Sequence, residues 1–398
     1  MNNQTKLWNR EFIVILFVQF CLQMGQQMLN TLVPLLADSL GASASAIGLI
    51  SSVFSIAATL VLIFVTPAFD CSSRKKIMLI SIFFTIVAFT GYGITKTIPM
   101  LFVFRFIQGA SQGCIMALGL VMVSDTLPAD KLGKGIGVFT LCQALAQAVG
   151  PSIGLSMKDS LGFSMTFFIG TITMVIGLAA GFLIRETVKN EGSYKLTVEN
   201  VIAKEAIPAS VLILILQGAY CSISSFIAIY GGLRGVNEIG LYFTVYAIGL
   251  LATRPVSGVL IDKIGYEIVL IVGIAFFAIS FLTIGLATNL WMFLLAAVFA
   301  ALGYGVCQPT LNYICMRCVP PERRGAASCT GNIAMSIGFL VAVTAAGYVV
   351  DGITAATGNQ TLGYSRMYML MTVPVAVALI YFFLTRKKIR AAIEAVQL

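Results

Sequence analysis

Apolar runs of about 20 residues or more follow one another along this chain, parted by short polar breaks. A helix needs about 20 apolar residues to cross a hydrocarbon core of about 30 Å. In hydrocarbon only helices and closed barrels satisfy their own backbone, and these runs are too long and too evenly apolar for barrel strands. The charge gaps and Gly/Pro punctuation predict twelve spans, at 11–35, 46–69, 77–95, 99–125, 134–156, 162–184, 208–231, 238–261, 267–287, 290–316, 325–350 and 365–385. The pattern is that of an all-α, polytopic membrane protein.

One long polar stretch, RETVKNEGSYKLTVENVIAKEAI at 185–207, interrupts the series and mixes both charge signs. It reads as a cytoplasmic linker between an N-terminal bundle, 1–184, and a C-terminal bundle, 208–398. The two bundles are related at a constant offset of 192 positions. Ile47-Gly48-Leu49 matches Ile239-Gly240-Leu241, Asp70 matches Asp262, Gly113 matches Gly305, and the run from Leu127 to Gly133 matches Val319 to Gly325. Two such six-helix pseudo-repeats place a solute site near the bilayer midplane, between halves that rock around it.

Composition agrees. The chain is 59% hydrophobic and 10% charged, against about 25% charged in soluble domains. Its formal charge of +9 needs no nucleic-acid partner. With a cytoplasmic N-terminus, only Lys96, Lys158, Arg234 and Arg366 fall outside, and Arg105 and Arg254 lie within spans. The remaining Lys and Arg residues are cytoplasmic, as the positive-inside rule expects. Both termini therefore read as cytoplasmic, in a plasma (inner) membrane, with MNNQTKLWNR retained ahead of the first span. Nine cysteines, a lone CxxC at Cys315 and Cys318, and no histidine predict no metal site and no cofactor. Without His or a midplane Asp pair, an intramembrane enzyme is disfavoured.

Several loop and span motifs resemble those of the major facilitator superfamily, over essentially the whole chain. The loop after span two is similar to G-x-x-x-D-x-x-G-[RK]-[RK]: Asp70, Arg74 and Lys75 fit, while Thr66 and Ser73 replace the glycines. The second copy keeps Gly258, Asp262 and Gly265 and lacks the basic pair. Span four carries R-x-x-Q-G as Arg105, Gln108 and Gly109. Span five holds LAQAVGPSIG at 145–154, resembling G-x-x-x-G-P-x-x-G-G with Ala146 and Leu155 at the first and last glycine. The family associates that last motif with exporters working as antiporters. Its repeat counterpart, IGFLVAVTAA at 337–346, lacks Gly-Pro. Ala146, Gly150 and Gly154 share one helix face that admits a close neighbour, and Pro151 bends a helix. Gly150, Pro151 and Gly154 are thus the expected hinge; ordinary small-residue packing is the plainer alternative.

The resemblance implies that spans one, four, seven and ten line a path. Polar residues inside a membrane usually face a bundle interior or cavity. Span one carries Gln19, Gln23, Gln27 and Asn30 on one face, with Gln26 beside it. Span four carries Arg105, Gln108 and Gln112, span seven Gln217, Tyr220 and Ser224, and span ten Tyr304, Gln308 and Asn312. The expected solute-binding set is Gln23, Gln27, Asn30, Arg105, Gln108, Gln112, Gln217, Gln308 and Asn312. Interhelical hydrogen bonding is the competing account of these amides. Arg105 has two readings, a brace for neighbouring helix ends or a solute or coupling residue. Asp70, Arg74 and Asp262 are the expected cytoplasmic gate, with carboxylates set near helix N-termini; loop capping by Asp is the alternative.

All 16 Asp and Glu residues fall at helix ends or in loops, Glu11, Asp38 and Asp125 nearest to spans. Proton coupling therefore comes from the resemblance and not from a visible proton carrier. Amides, hydroxyls and one Arg suit a neutral, zwitterionic or anionic solute. The expectation is a monomeric secondary transporter in the lipid bilayer, exporting a small solute by alternating access against proton influx. An importer of a sugar or organic anion is the first rival, and a receptor or scaffold without transport the second.

Overall fold

A computed structural model describes residues 8–65, 72–127, 132–186, 202–320 and 323–397. Among them there are helices and no strands. In chain order these are α1 (Arg10–Ser39), α2 (Ala44–Val65), α3 (Arg74–Ile94), α4 (Ile98–Thr126), α5 (Leu132–Phe182), a 3₁₀ turn (Lys204–Ala206), α6 (Ile207–Leu233), α7 (Gly240–Ile264), α8 (Tyr266–Leu286), α9 (Leu290–Arg317), α10 (Arg324–Thr357), α11 (Gln360–Leu370) and α12 (Thr372–Gln397). Ten helices among the described residues are long and apolar enough to cross a membrane, or eleven counting α7, which bends by 45° between Thr253 and Val256. Helix α5 is 51 residues long with a break at Gly162, length enough for two crossings. A count of twelve spans fits.

Local chemistry sets the helix ends. Asn9 caps α1 by accepting from the Phe12 amide at 2.9 Å and donates to the Thr126 carbonyl at 2.8 Å, joining the start of α1 to the end of α4. Ser73, Asn289 and Asn359 cap α3, α9 and α11 in the same manner. Gly265, at φ 83°, is the single residue between α7 and α8. Gly162, at φ 79° and ψ 171°, breaks α5; that region is essentially closed to other residues.

The chain forms two compact units, Met1–Leu40 with Ile56–Leu196, and Gly41–Ser55 with Thr197–Leu398. Residues 41–55, read from the sequence as part of the first bundle, group with the second unit, so α2 contributes to both. Most of the polar stretch 185–207 lies outside the described residues. In the first unit α1 lies along α5, and α3 fills in against α4 and α5. In the second, α6 pairs with α10 and α8 with α9. Small residues make these contacts close: Gly150 and Gly154 meet Met24 and Met28, Gly338 meets Leu214, and Gly303 meets Phe277. Phe83, Phe84, Ile172 and Ile176 of the first unit, and Leu282, Val341 and Leu384 of the second, are exposed, as a lipid-facing surface requires.

Candidate solute-binding site

In the first unit the polar residues of α1 and α4 join into one hydrogen-bonded chain. Arg105 is 2% exposed and donates from Nη1 to Gln108 Oε1 at 2.9 Å. The Tyr92 hydroxyl, from α3, donates to the same oxygen at 2.7 Å. Gln108, fully buried, donates from Nε2 to Gln26 Oε1 at 2.8 Å. Gln26 then donates to Asn30 Oδ1, and Asn30 to Gln27 Oε1, each at 3.1 Å. None of these six residues carries a carboxylate. Burying such groups is costly unless they are hydrogen-bonded, and here each residue takes part in at least one hydrogen bond.

The structure therefore brings Arg105, Gln108, Asn30 and Gln27 of the expected set together. Gln23 and Gln112 are also buried. Gln112 Nε2 has no hydrogen-bond partner among the described residues, and Gln19, further along α1, donates to the Ile115 carbonyl at 3.3 Å. Two members of the chain fell outside the expected set. Gln26 stands one residue off the stripe on α1, and Tyr92 belongs to a helix not expected to line the path.

The second unit holds a different arrangement. Gln217 accepts a hydrogen bond from the Tyr304 hydroxyl and donates to Cys221 Sγ at 3.3 Å. Tyr304 stacks on Tyr220, with centroids 4.5 Å apart and planes 2° from parallel. Tyr220 in turn lies 5.4 Å from Tyr246, and Tyr246 lies 6.4 Å from Tyr242. Offset and stacked ring pairs of this kind add to simple burial. The hydroxyls of Tyr242 and Tyr246 are buried with no hydrogen-bond partner among the described residues. Gln308 is half-buried and Asn312 exposed on α9. Neither hydrogen-bonds to this cluster. Spacing had suggested amides here; the structure builds the cluster from tyrosines, with Gln217 as the amide.

Gly150 and Pro151 keep helical backbone angles within α5, where Gly162 is the non-helical residue. The Gly150–Gly154 face rests on α1 at Met24, Gln27 and Met28. Asp70 lies outside the described residues. Arg74 opens α3, and beside it Lys75 Nζ donates to the Phe182 carbonyl at 2.8 Å while the Ser73 hydroxyl meets Glu186. Asp262 is exposed near the end of α7. Among the described residues no group of three or more His, Cys, Asp or Glu side chains could hold a metal ion.

Long apolar helices around a buried polar network define a polytopic membrane protein. The family model described as Major Facilitator Superfamily matches residues 15–237 and 209–397. The chain belongs to this superfamily, and is a transporter of small molecules rather than an enzyme. It is 22% identical over 387 residues to the staphylopine export protein of Staphylococcus aureus, covering 92% of this chain and 93% of that one. It is 24% identical over 370 residues to the multi-drug resistance efflux pump PmrA homolog of Lactococcus lactis, covering 87% and 91%. Among solved structures, the nucleoside transporter NupG superimposes with a TM-score of 0.78 at 14% identity, covering 94% of this chain and 98% of that one. That likeness speaks to the fold.

Proposed function

We propose that this protein is a secondary active exporter of a small neutral, zwitterionic or anionic solute, working by alternating access in exchange for protons. The observation that carries the reading is the buried Arg105–Gln108–Gln26 chain with its Tyr92 partner, a cationic and amide-rich surface without a carboxylate. Such a surface favours solutes bearing oxygen acceptors over cations. The export direction is supported by the likeness to the staphylopine export protein and the multi-drug efflux pump homolog, and by the resemblance of the Gly150-Pro151 segment to an antiporter motif.

In this reading the residues that serve solute binding are Gln23, Gln27, Asn30, Arg105, Gln108 and Gln112 in the first unit, and Gln217, Gln308 and Asn312 in the second. Gly150, Pro151 and Gly154 shape the hinge, and Asp70, Arg74 and Asp262 form the cytoplasmic gate. The protein works as a monomer in the plasma membrane with both termini in the cytoplasm. The test is efflux from cells loaded with labelled neutral, anionic and cationic solutes. Faster release of a neutral or anionic solute, abolished by a protonophore and lost in Arg105→Ala, is the expected outcome. Faster entry instead of release would reverse the direction.

A further inference from the structure

The amides of the first unit all face one way, and the reason is Arg105. A guanidinium offers only donors, so Gln108 must turn its oxygen toward Nη1. Tyr92 takes the same oxygen. With that oxygen committed, Gln108 can only donate onward, and it does so to Gln26. The constraint repeats from Gln26 to Asn30 and from Asn30 to Gln27. Every amide oxygen along the chain is occupied by the donor before it. The last group is Gln27 Nε2, on a half-buried residue whose oxygen accepts from Asn30; among the described residues no acceptor is placed on this nitrogen. Burial falls in the same direction: Arg105, Gln108 and Gln26 are 2%, 0% and 5% exposed, while Asn30 and Gln27 are half-buried.

We infer that the solute is met by Gln27 Nε2, a polarised donor that takes a carboxylate or carbonyl oxygen, and that Arg105 acts on it through Gln108, Gln26 and Asn30. Hydrogen bonds in series polarise one another in a low-dielectric interior, so the guanidinium charge is felt at Gln27 without touching the solute. Arg105 is a positioning residue. A donor-only cation would have to share Gln27 Oε1 with Asn30, which already donates to it. Gly150 fixes the end group, because a Cβ there would stand 2.7 Å from Gln27 Cβ. The inference rests on the proposal above that solute binds along α1 and α4.

Three probes of one shape test it: benzoate, benzamide and benzylammonium, read by their effect on thermal unfolding of the purified full-length protein. Benzoate and benzamide are expected to stabilise it, benzoate more strongly, and benzylammonium is not. Gln27→Met is expected to weaken benzoate binding about tenfold, the effect of one charge-assisted hydrogen bond. Gln27→Glu turns the end group into an acceptor and is expected to reverse the order in favour of benzylammonium. Arg105→Lys keeps the preference for benzoate over benzamide. Arg105→Met, with Tyr92 still orienting Gln108, is expected to weaken benzoate binding more than benzamide binding and so to lose that preference. No stabilisation by benzoate, an unchanged order in Gln27→Glu, or equal losses of both probes in Arg105→Met would overturn the inference. Binding in the expected order without outward flux of labelled benzoate supports it and removes the export reading alone.

Discussion

Gly150 and Gln27 meet with no room for a side chain between them: a Cβ at Gly150 would stand 2.7 Å from the Gln27 Cβ, well inside the ordinary carbon–carbon separation of about 3.5–4.0 Å. Helix α5 thus seats α1 at the residue where the polar chain ends. Gly150→Ala is expected to cost about 1–3 kcal/mol by overpacking and to displace Gln27. The same change at Gly154, where the nearest atoms would be 3.2 Å away on Met28, is expected to cost less. Thermal unfolding of the two variants in detergent gives the order directly.

Asp351 closes the start of α2. Its two carboxylate oxygens accept from the successive amides of Ala44 and Ser45, each at 2.9 Å. Those amides belong to the first turn, where no intrahelical partner exists. Asp351→Ala is expected to cost about 0.5–2 kcal/mol, the usual worth of such a cap, with Asp351→Asn intermediate. Amide hydrogen exchange at Ala44 and Ser45 should accelerate in the Ala variant while exchange in α8 is unchanged. Uniform acceleration everywhere would mean that the cap is not a local device.

Removing the buried hydroxyls of Tyr242 and Tyr246 is expected to help stability. Neither makes a hydrogen bond of ordinary geometry among the described residues, although Ser280 lies near the first and Tyr220 near the second, and an unsatisfied buried hydroxyl costs about 1–3 kcal/mol. Tyr242→Phe and Tyr246→Phe keep the rings and should raise the unfolding midpoint. Tyr304→Phe should lower it, since that hydroxyl donates to Gln217. A fall in all three would place further partners around the first two hydroxyls.

Gly162→Ala tests the break in α5. At φ 79° and ψ 171° a Cβ is strained by about 1–3 kcal/mol, although nothing stands within 4 Å to clash with it. The variant is expected to unfold at a lower temperature with the rest of the fold intact by circular dichroism. An unchanged midpoint would show that the backbone there relaxes.

The helical architecture was legible because bilayer thickness imposes one length on every span, and apolar runs announce it. Gln27 and Asn30 were legible too, since spacings of three and four mark one helix face. Gln26 was not. It points about 100° away from Gln27, and its reach to Gln108 exists because α4 passes on that side of α1. Tyr92 carried no signal at all, being one aromatic among many in an apolar span until α3 folds against α4. On α9 the same periodicity put three residues on one face with different surroundings. Asn312 shares the spacing of Tyr304 and Gln308 and ends exposed, because spacing fixes a face and not how far along the helix the face stays covered.

The stacked tyrosines of the second unit also give the molecule a spectrum of its own. The chain has two tryptophans, Trp8 and Trp291, which are 58% and 78% exposed. Tyr220, Tyr242, Tyr246 and Tyr304 instead hold fixed mutual orientations at 4.5–6.4 Å, the condition for exciton coupling between neighbouring chromophores. Near-ultraviolet ellipticity should therefore carry a strong contribution from this cluster, alongside Tyr230, Tyr364 and Tyr368, whose rings lie 5.6–6.3 Å apart. Any solute that re-orients a single ring would be seen without a label.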